Sequence, residues 1–195
     1  ENITSKNRNI IRKAQKNNIQ IHHTEDYSIF EHFISIYNQT MQRDNAEEYY
    51  YFQEEFYKAI HDYLKGNYQV FYATLDDQII AVSIILYANK QIHYHLSGSL
   101  SEYRSFAPTN LLLYEVALWG HQEGYKTFHL GGGLGSGNDN LYKFKAAFNR
   151  KSGLQFSIGK QIFNQALYNQ LVEERLAEDP KFDLESKYFP LYRAK

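Results

Sequence analysis

Cysteine is absent from this 195-residue chain, so neither a disulfide framework nor a thiolate metal site is available, and a reducing compartment, the cytoplasm, is expected. Proline occurs three times and glycine 11 times, too rarely for a fibrous or low-complexity chain. Charge of one sign is lacking too. The 21 Lys and Arg stand against 22 Asp and Glu, a net charge of −1 that exerts no global pull on nucleic acid, so a polyanion partner needs a local basic patch. The nearest thing to a membrane span, Ile79-Ile80-Ala81-Val82-Ser83-Ile84-Ile85-Leu86, falls far short of the ~20 apolar residues a bilayer requires and reads as a buried strand. Apolar and aromatic residues are abundant: 43% of the chain is hydrophobic, with 18 Tyr and 13 Phe, which implies a globular core and excludes disorder. The chain begins at Glu1, with no signal-like segment, which suits a piece of a longer protein.

Residues 6–16 read as a helix with Ile10, Ile11 and Ala14 on one side and five basic residues (Lys6, Arg8, Arg12, Lys13, Lys16) unopposed by any acid. Ile19 to His22 alternates as a short strand. Helices are expected from about residue 27, where Phe30, Phe33, Ile34 and Tyr37 recur at three and four, and over residues 51–64. Three strands follow, residues 68–75, 78–87 and 91–96, joined by tight turns at Asp76-Asp77 and Ala88-Asn89-Lys90, an antiparallel meander. A polar loop over 97–107 leads to a helix opened by Pro108, then a short strand over 126–130, a glycine stretch, a helix over 139–148, a strand over 153–160 and a final helix over 163–177. Tyr188, Phe189 and Tyr192 suggest a docked tail. The expected class is mixed α/β, one domain over 1–160 with 161–195 as its C-terminal helix and tail.

The glycine stretch, Gly131-Gly132-Gly133-Leu134-Gly135-Ser136-Gly137, frees backbone N–H groups just before a helix, as anion sites do. It fits neither a Walker loop nor the dinucleotide pattern, and a plain flexible loop accounts for it equally well. Lys145 sits near the apolar seam of the next helix, where it either snorkels or reaches a phosphate held by Gly132 and Gly133; Lys143 projects elsewhere. His93 and His95, two apart on a strand, share a face but lack a third ligand, so no metal is expected; a histidine at a strand end is still a candidate acid or base. Arg104 and the helix opening at Pro108-Thr109-Asn110 are candidates for binding an anion. Tyr49-Tyr50-Tyr51-Phe52 is read as packing, since Glu47, Glu48, Glu54 and Glu55 flank it. No G-x-S-x-G elbow exists, so covalent hydrolase chemistry is disfavoured.

The element order resembles the fold of the Gcn5-related N-acetyltransferases (GNAT). The strings Asn7-Arg8 to Ala14, Thr40-Met41-x-Arg43 before Tyr50-Tyr51-Phe52, His93-Tyr94-His95-Leu96-Ser97-Gly98-Ser99, Pro108-x-Asn110-Leu111-Leu112, His129-Leu130-Gly131-Gly132-Gly133 and Leu141-x-x-Phe144-Lys145-x-x-Phe148 together resemble the FemABX family of peptidoglycan aminoacyltransferases. That family carries two tandem domains of this type, and the chain resembles the second alone. The usual coenzyme A signature, Q/R-x-x-G-x-G/A, is missing before Pro108. The resemblance implies transfer of an amino acid from aminoacyl-tRNA to an amine of a muropeptide, with no metal and no covalently bound cofactor. By the same resemblance Arg104 and Lys145, with Lys143, take phosphate-binding roles; Asn110 at the helix opening and Gly132 and Gly133 in the glycine stretch are further candidates to bind the donor, and His95 and Tyr142 are candidates for proton handling by their positions. Transfer from an acyl-coenzyme A donor and a non-catalytic binding module are the alternatives.

Overall fold

The computed structural model describes residues 2–134, 137–151 and 153–194. Gly135 and Ser136 of the expected glycine cradle lie outside the described residues. The chain divides into two compact units, Glu1–Gly153 and Leu154–Lys195.

The first unit is a five-stranded sheet whose spatial order follows the sequence: β1 (Gln20–Thr24), β2 (Tyr68–Leu75), β3 (Gln78–Ala88), β4 (Gln91–Ser99) and β5 (Thr127–His129). The first four pair antiparallel, and β5 joins β4 in parallel after a helical crossover. Helices α1 (Ser5–Lys16) and α4 (Pro108–Gln122) cover one face, burying Ile11, Ala14, Leu111, Leu112 and Val116 against Phe71, Ala73, Ala81, Ile85 and Ile92. On the other face lie α2 (Ile29–Arg43) and α3 (Glu54–Tyr63), with Phe30, Phe33, Tyr37, Tyr57 and Ile60 set on Tyr68, Val70, Val82 and Ile84. The sheet is thus buried on both sides, which is why β3 reads as a nearly continuous apolar run interrupted by Ser83. The seven-residue α5 (Asn140–Ala146) closes the unit.

A bulge in β4 decides which side chains meet which face. The ladder pairs Ile85 with Tyr94 but Ile84 with Leu96, leaving His95 as the extra residue. Before it, odd-numbered residues such as His93 face α2 and α3; after it, even-numbered ones do, and Gly98 is brought under α2. A Cβ at Gly98 would stand 2.8 Å from Tyr37 Cα and 2.9 Å from the Ile36 carbonyl oxygen. Side chains of α2 also hold the end of the strand: the Ser99 N–H donates to Thr40 Oγ1 (2.9 Å), and Arg43 Nη1 donates to the Ser99 carbonyl (2.8 Å). Thr40→Val, which leaves that part-buried N–H without its partner, is predicted to lower unfolding stability by about 1–2 kcal/mol in urea titrations, with the slope unchanged.

Three expectations are corrected. Residues 97–99, expected in a polar loop, extend β4, because small Ser-Gly-Ser side chains are what the close approach of α2 admits, and residues 101–106 form a 3-10 turn. Residues 51–53 precede α3 instead of belonging to it. Residues 153–160 form no strand: Leu154, Phe156 and Ile158 alternate as a strand would, but stand 94%, 84% and 66% exposed with no partner strand among the described residues. The second unit consists of α6 (Gln165–Glu178) and a tail folded on it, in which Phe189 stacks on Tyr168 (6.2 Å between centroids) and Tyr192 meets its edge (5.6 Å). Tyr188 is 59% exposed and does not share in that packing.

Candidate active site

The parallel ladder between β4 and β5 has three rungs, Gln91 with Thr127, Ile92 with Phe128 and His93 with His129. Beyond the last rung β5 ends in the glycine loop while β4 runs on to Ser99, so the strands fork and residues 94–99 present an edge that no fifth strand covers. Most of the chemistry-bearing residues of the first unit lie along this fork.

On the α2–α3 side sit three imidazoles. His93 and His129 stack at 4.9 Å with their Nδ1 atoms 2.8 Å apart, and His95, the bulge residue, lies 5.9 Å from His93 and 6.3 Å from Phe56. Burial holds His93 below the ordinary imidazole pKa, helped by the nearby His129, His95 and Lys145. His95 is open to solvent on one side and crowded by protein on the other, and the crowding lowers its pKa as well. No group of three or more His, Asp or Glu among the described residues has the geometry to hold a metal ion.

On the opposite side the Tyr94 ring lies under Lys145 Nζ, 5.7 Å from its centroid. The Ser83 and Ser97 hydroxyls draw the Tyr94 pKa down while burial, the larger effect, raises it. Lys145 donates to the Gly132 carbonyl (2.8 Å), and burial lowers its pKa against the opposing pull of Asp139. Asp139 caps α5 through the Tyr142 N–H (2.7 Å) and also accepts the Leu134 N–H; these two backbone donors hold its carboxyl below the usual range. The glycine loop is therefore held at Gly132 by Lys145 of α5 and at Leu134 by the residue that caps it. Gly131 adopts φ +73°, the left-handed region that suits glycine, and a Cβ on Gly133 would collide with the Asp139 carboxylate.

The remaining sequence-predicted residues are distributed unevenly. Arg104 stands exposed on the 3-10 turn Ser101–Phe106, just before α4, whose N-terminus no side chain caps. Asn110 is tied instead to α1, donating to Asn7 Oδ1 (2.7 Å). Lys143 and Tyr142 are exposed on α5, and Tyr142 shares no hydrogen bond or ring contact with His95. From Tyr94 to Ser99 the strand covers roughly 16 Å at ~3.3 Å per residue, so Arg104 and Lys145 flank the two ends of the open edge. Sequence reasoning missed Tyr94, Ser97 and His129. The signal for His129 was its place at the end of a strand facing another histidine, legible only once β4 and β5 are known to be neighbours.

No curated protein matches the chain in sequence. In fold it is similar to FemX, with a TM-score of 0.63 at 15% identity over 74% of this chain and 52% of that one, so it spans about half of FemX. It is also similar to the aminoglycoside acetyltransferase meta-AAC0020 from an uncultured soil metagenomic sample, in complex with sisomicin (TM-score 0.56, 12% identity, 76% of this chain and 99% of that one). The aminoglycoside acetyltransferase AAC(6')-Iy in complex with a coenzyme A bisubstrate analogue gives a TM-score of 0.52 at 14% identity over 73% and 99%. These likenesses bear on the fold: a mixed sheet forked between β4 and β5, flanked by helices, is the GNAT fold. The family model described as an acetyltransferase (GNAT) domain matches residues 5–146, the stretch that holds the whole forked sheet, and the chain accordingly belongs to that family of acyltransferases.

Proposed function

We propose that the chain moves an aminoacyl group from aminoacyl-tRNA to an amine of a peptidoglycan precursor. The observation that carries this reading is the fork, whose open β4 edge runs from Lys145 and the histidines at one end to Arg104 and the uncapped N-terminus of α4 at the other. The helix dipole and Arg104 favour a phosphate at the outer end, which leaves the activated carbonyl at the inner end beside Lys145. There the amine attacks, and the site must align the partners, take a proton and stabilise an oxyanion. Lys145 is placed for the oxyanion, with Lys143 beside it on α5 and the Gly132–Gly133 backbone lining the mouth. His95, with its pKa lowered, and Tyr142 are the residues singled out by sequence for proton handling.

The turn before α4 favours the tRNA donor. It contains no glycine to free N–H groups for a pyrophosphate, and Ala107 fills the left-handed position there (φ 57°). Likeness to FemX points the same way. The second reading, an acyl-coenzyme A donor, is favoured by the likeness to AAC(6')-Iy, a protein solved with a coenzyme A analogue. Thermal shift in the presence of aminoacyl-tRNA or of coenzyme A separates the two, since only a ligand that binds the folded state raises Tm. Arg104→Ala is predicted to weaken binding of whichever donor does so about tenfold, by titration, with Tm unchanged.

A further inference from the structure

We infer that His93 and His129 form a two-ring proton relay at the fork, His93 taking the proton of the attacking amine and His129 passing it to water. The inference rests on the acyl-transfer reading above and deepens it.

The relay follows from the hydrogen-bond inventory of two facing imidazoles. Their Nδ1 atoms are 2.8 Å apart, so one must carry a hydrogen and the other a lone pair. In the neutral pair the ring that donates from Nδ1 has an unprotonated Nε2, and the ring that accepts has a protonated one. The pair therefore offers a single basic nitrogen. When that nitrogen takes a proton, the shared Nδ1 hydrogen can shift across the 2.8 Å gap, and the second ring then releases its own Nε2 hydrogen. A proton enters at one ring and leaves at the other with no side-chain movement.

Position assigns the direction. His93 is half-buried and stands on the last rung, where an acyl group entering between the parting strands meets the protein. His129 is exposed and ends β5, so it faces bulk water. His95 has no hydrogen-bonded partner among the described residues and hence no outlet of this kind. The charged or titratable groups around His93 are His129 on β5, His95 on β4 and Lys145 on α5, while α3 presents the apolar Phe56 to His95. Outside the pair, His95 and Lys145 are both basic and oppose a positive charge on His93. In the transfer step the amine nitrogen bonds to the carbonyl carbon, the carbon–oxygen bond of the ester breaks, and the amine's hydrogen goes to His93 Nε2 while His129 releases a proton to water; the departing oxygen then takes the hydrogen from His93 Nε2 as the shared Nδ1 hydrogen returns and His129 recovers a proton from water, which resets the pair.

The test has two arms on the full chain. In long-range 1H–15N spectra of the free protein near pH ~8, His93 and His129 should show complementary tautomers, one ring protonated at Nδ1 and the other at Nε2, with a single hydrogen between the two Nδ1 atoms. His129→Gln should release His93 from that pairing. Rings that sample both tautomers independently overturn the relay whatever the donor. In the second arm, alanyl-tRNA and acetyl-coenzyme A are offered with a muropeptide amine. His93→Gln should lower kcat about 100-fold with KM kept, and His129→Gln about tenfold; activity of the parent should fall as pH drops through the lowered pKa of His93, and that limb should shift in His129→Gln. A role in packing alone would change Tm and leave the pH profile in place. An active parent whose His variants keep both kcat and profile overturns the relay alone; a parent that turns over neither donor while its rings still show complementary tautomers overturns the donor reading and the catalytic role with it.

Discussion

Replacing Lys145 by Met should lower kcat/KM for the productive donor by about tenfold to a hundredfold while the sheet stays intact. Lys145 is the cation that joins the glycine loop to the β4 edge: it donates to the Gly132 carbonyl and lies over Tyr94. Burial disfavours its charge, and of its neighbours only Asp139 supports it, so a developing oxyanion or a phosphate oxygen is a better partner than any it has at rest. A charged hydrogen bond of this kind contributes about 1.5–3 kcal/mol, which is the expected loss in kcat/KM. Met keeps the stem that packs beside the loop and removes the charge. Steady-state kinetics together with a melting curve decide the matter: unchanged kcat/KM removes Lys145 from the site, and a large drop in Tm would assign it to the loop's structure instead.

The second large effect is on stability. Gly98→Val should destabilise the first unit by about 3 kcal/mol or more, because its Cβ would meet main-chain atoms of α2 at under 3 Å and main chain cannot swing aside as a long side chain can. In a chain of this size each kcal/mol lowers Tm by roughly 2–4 °C, so a fall of roughly 6–12 °C is expected by calorimetry. An unchanged Tm would mean that α2 and β4 separate more easily than their close approach indicates.

Much of this was legible in the sequence and some was not, for physical reasons. The meander was readable because alternation and two tight turns are local signals, and Pro108 fixed the start of α4 for the same reason. Residues 97–99 were not, since Ser-Gly-Ser carries turn propensity and its extended conformation is imposed by the α2 backbone pressing on Gly98. The segment at 153–160 erred the other way: its alternation is genuine, but a strand is defined by its neighbour and propensity supplies none. At the site, Lys145 and the glycine loop were linked by a short stretch of sequence and were found together. Arg104 and Lys145 lie on separate elements, the turn before α4 and α5, and only the pairing of β4 with β5 brings those elements to one fork. The His93–His129 pair joins residues 36 apart across a parallel ladder, a contact to which no spacing rule applies.

The sheet's spatial order, identical to its order in the chain, has a consequence for how the molecule opens. The β2–β3 and β3–β4 pairs close through tight turns, whereas β1 and β2 are joined through α2 and α3, and β5 reaches β4 only after the α4 crossover and is held by three rungs. The short ladder makes this the cheapest pairing to release, so β5 is expected to be the first strand to exchange its amide hydrogens. The region of least local stability is then the place where the proposed donor enters, and access to the fork requires only a partial opening that leaves the four antiparallel strands and their two covering layers untouched.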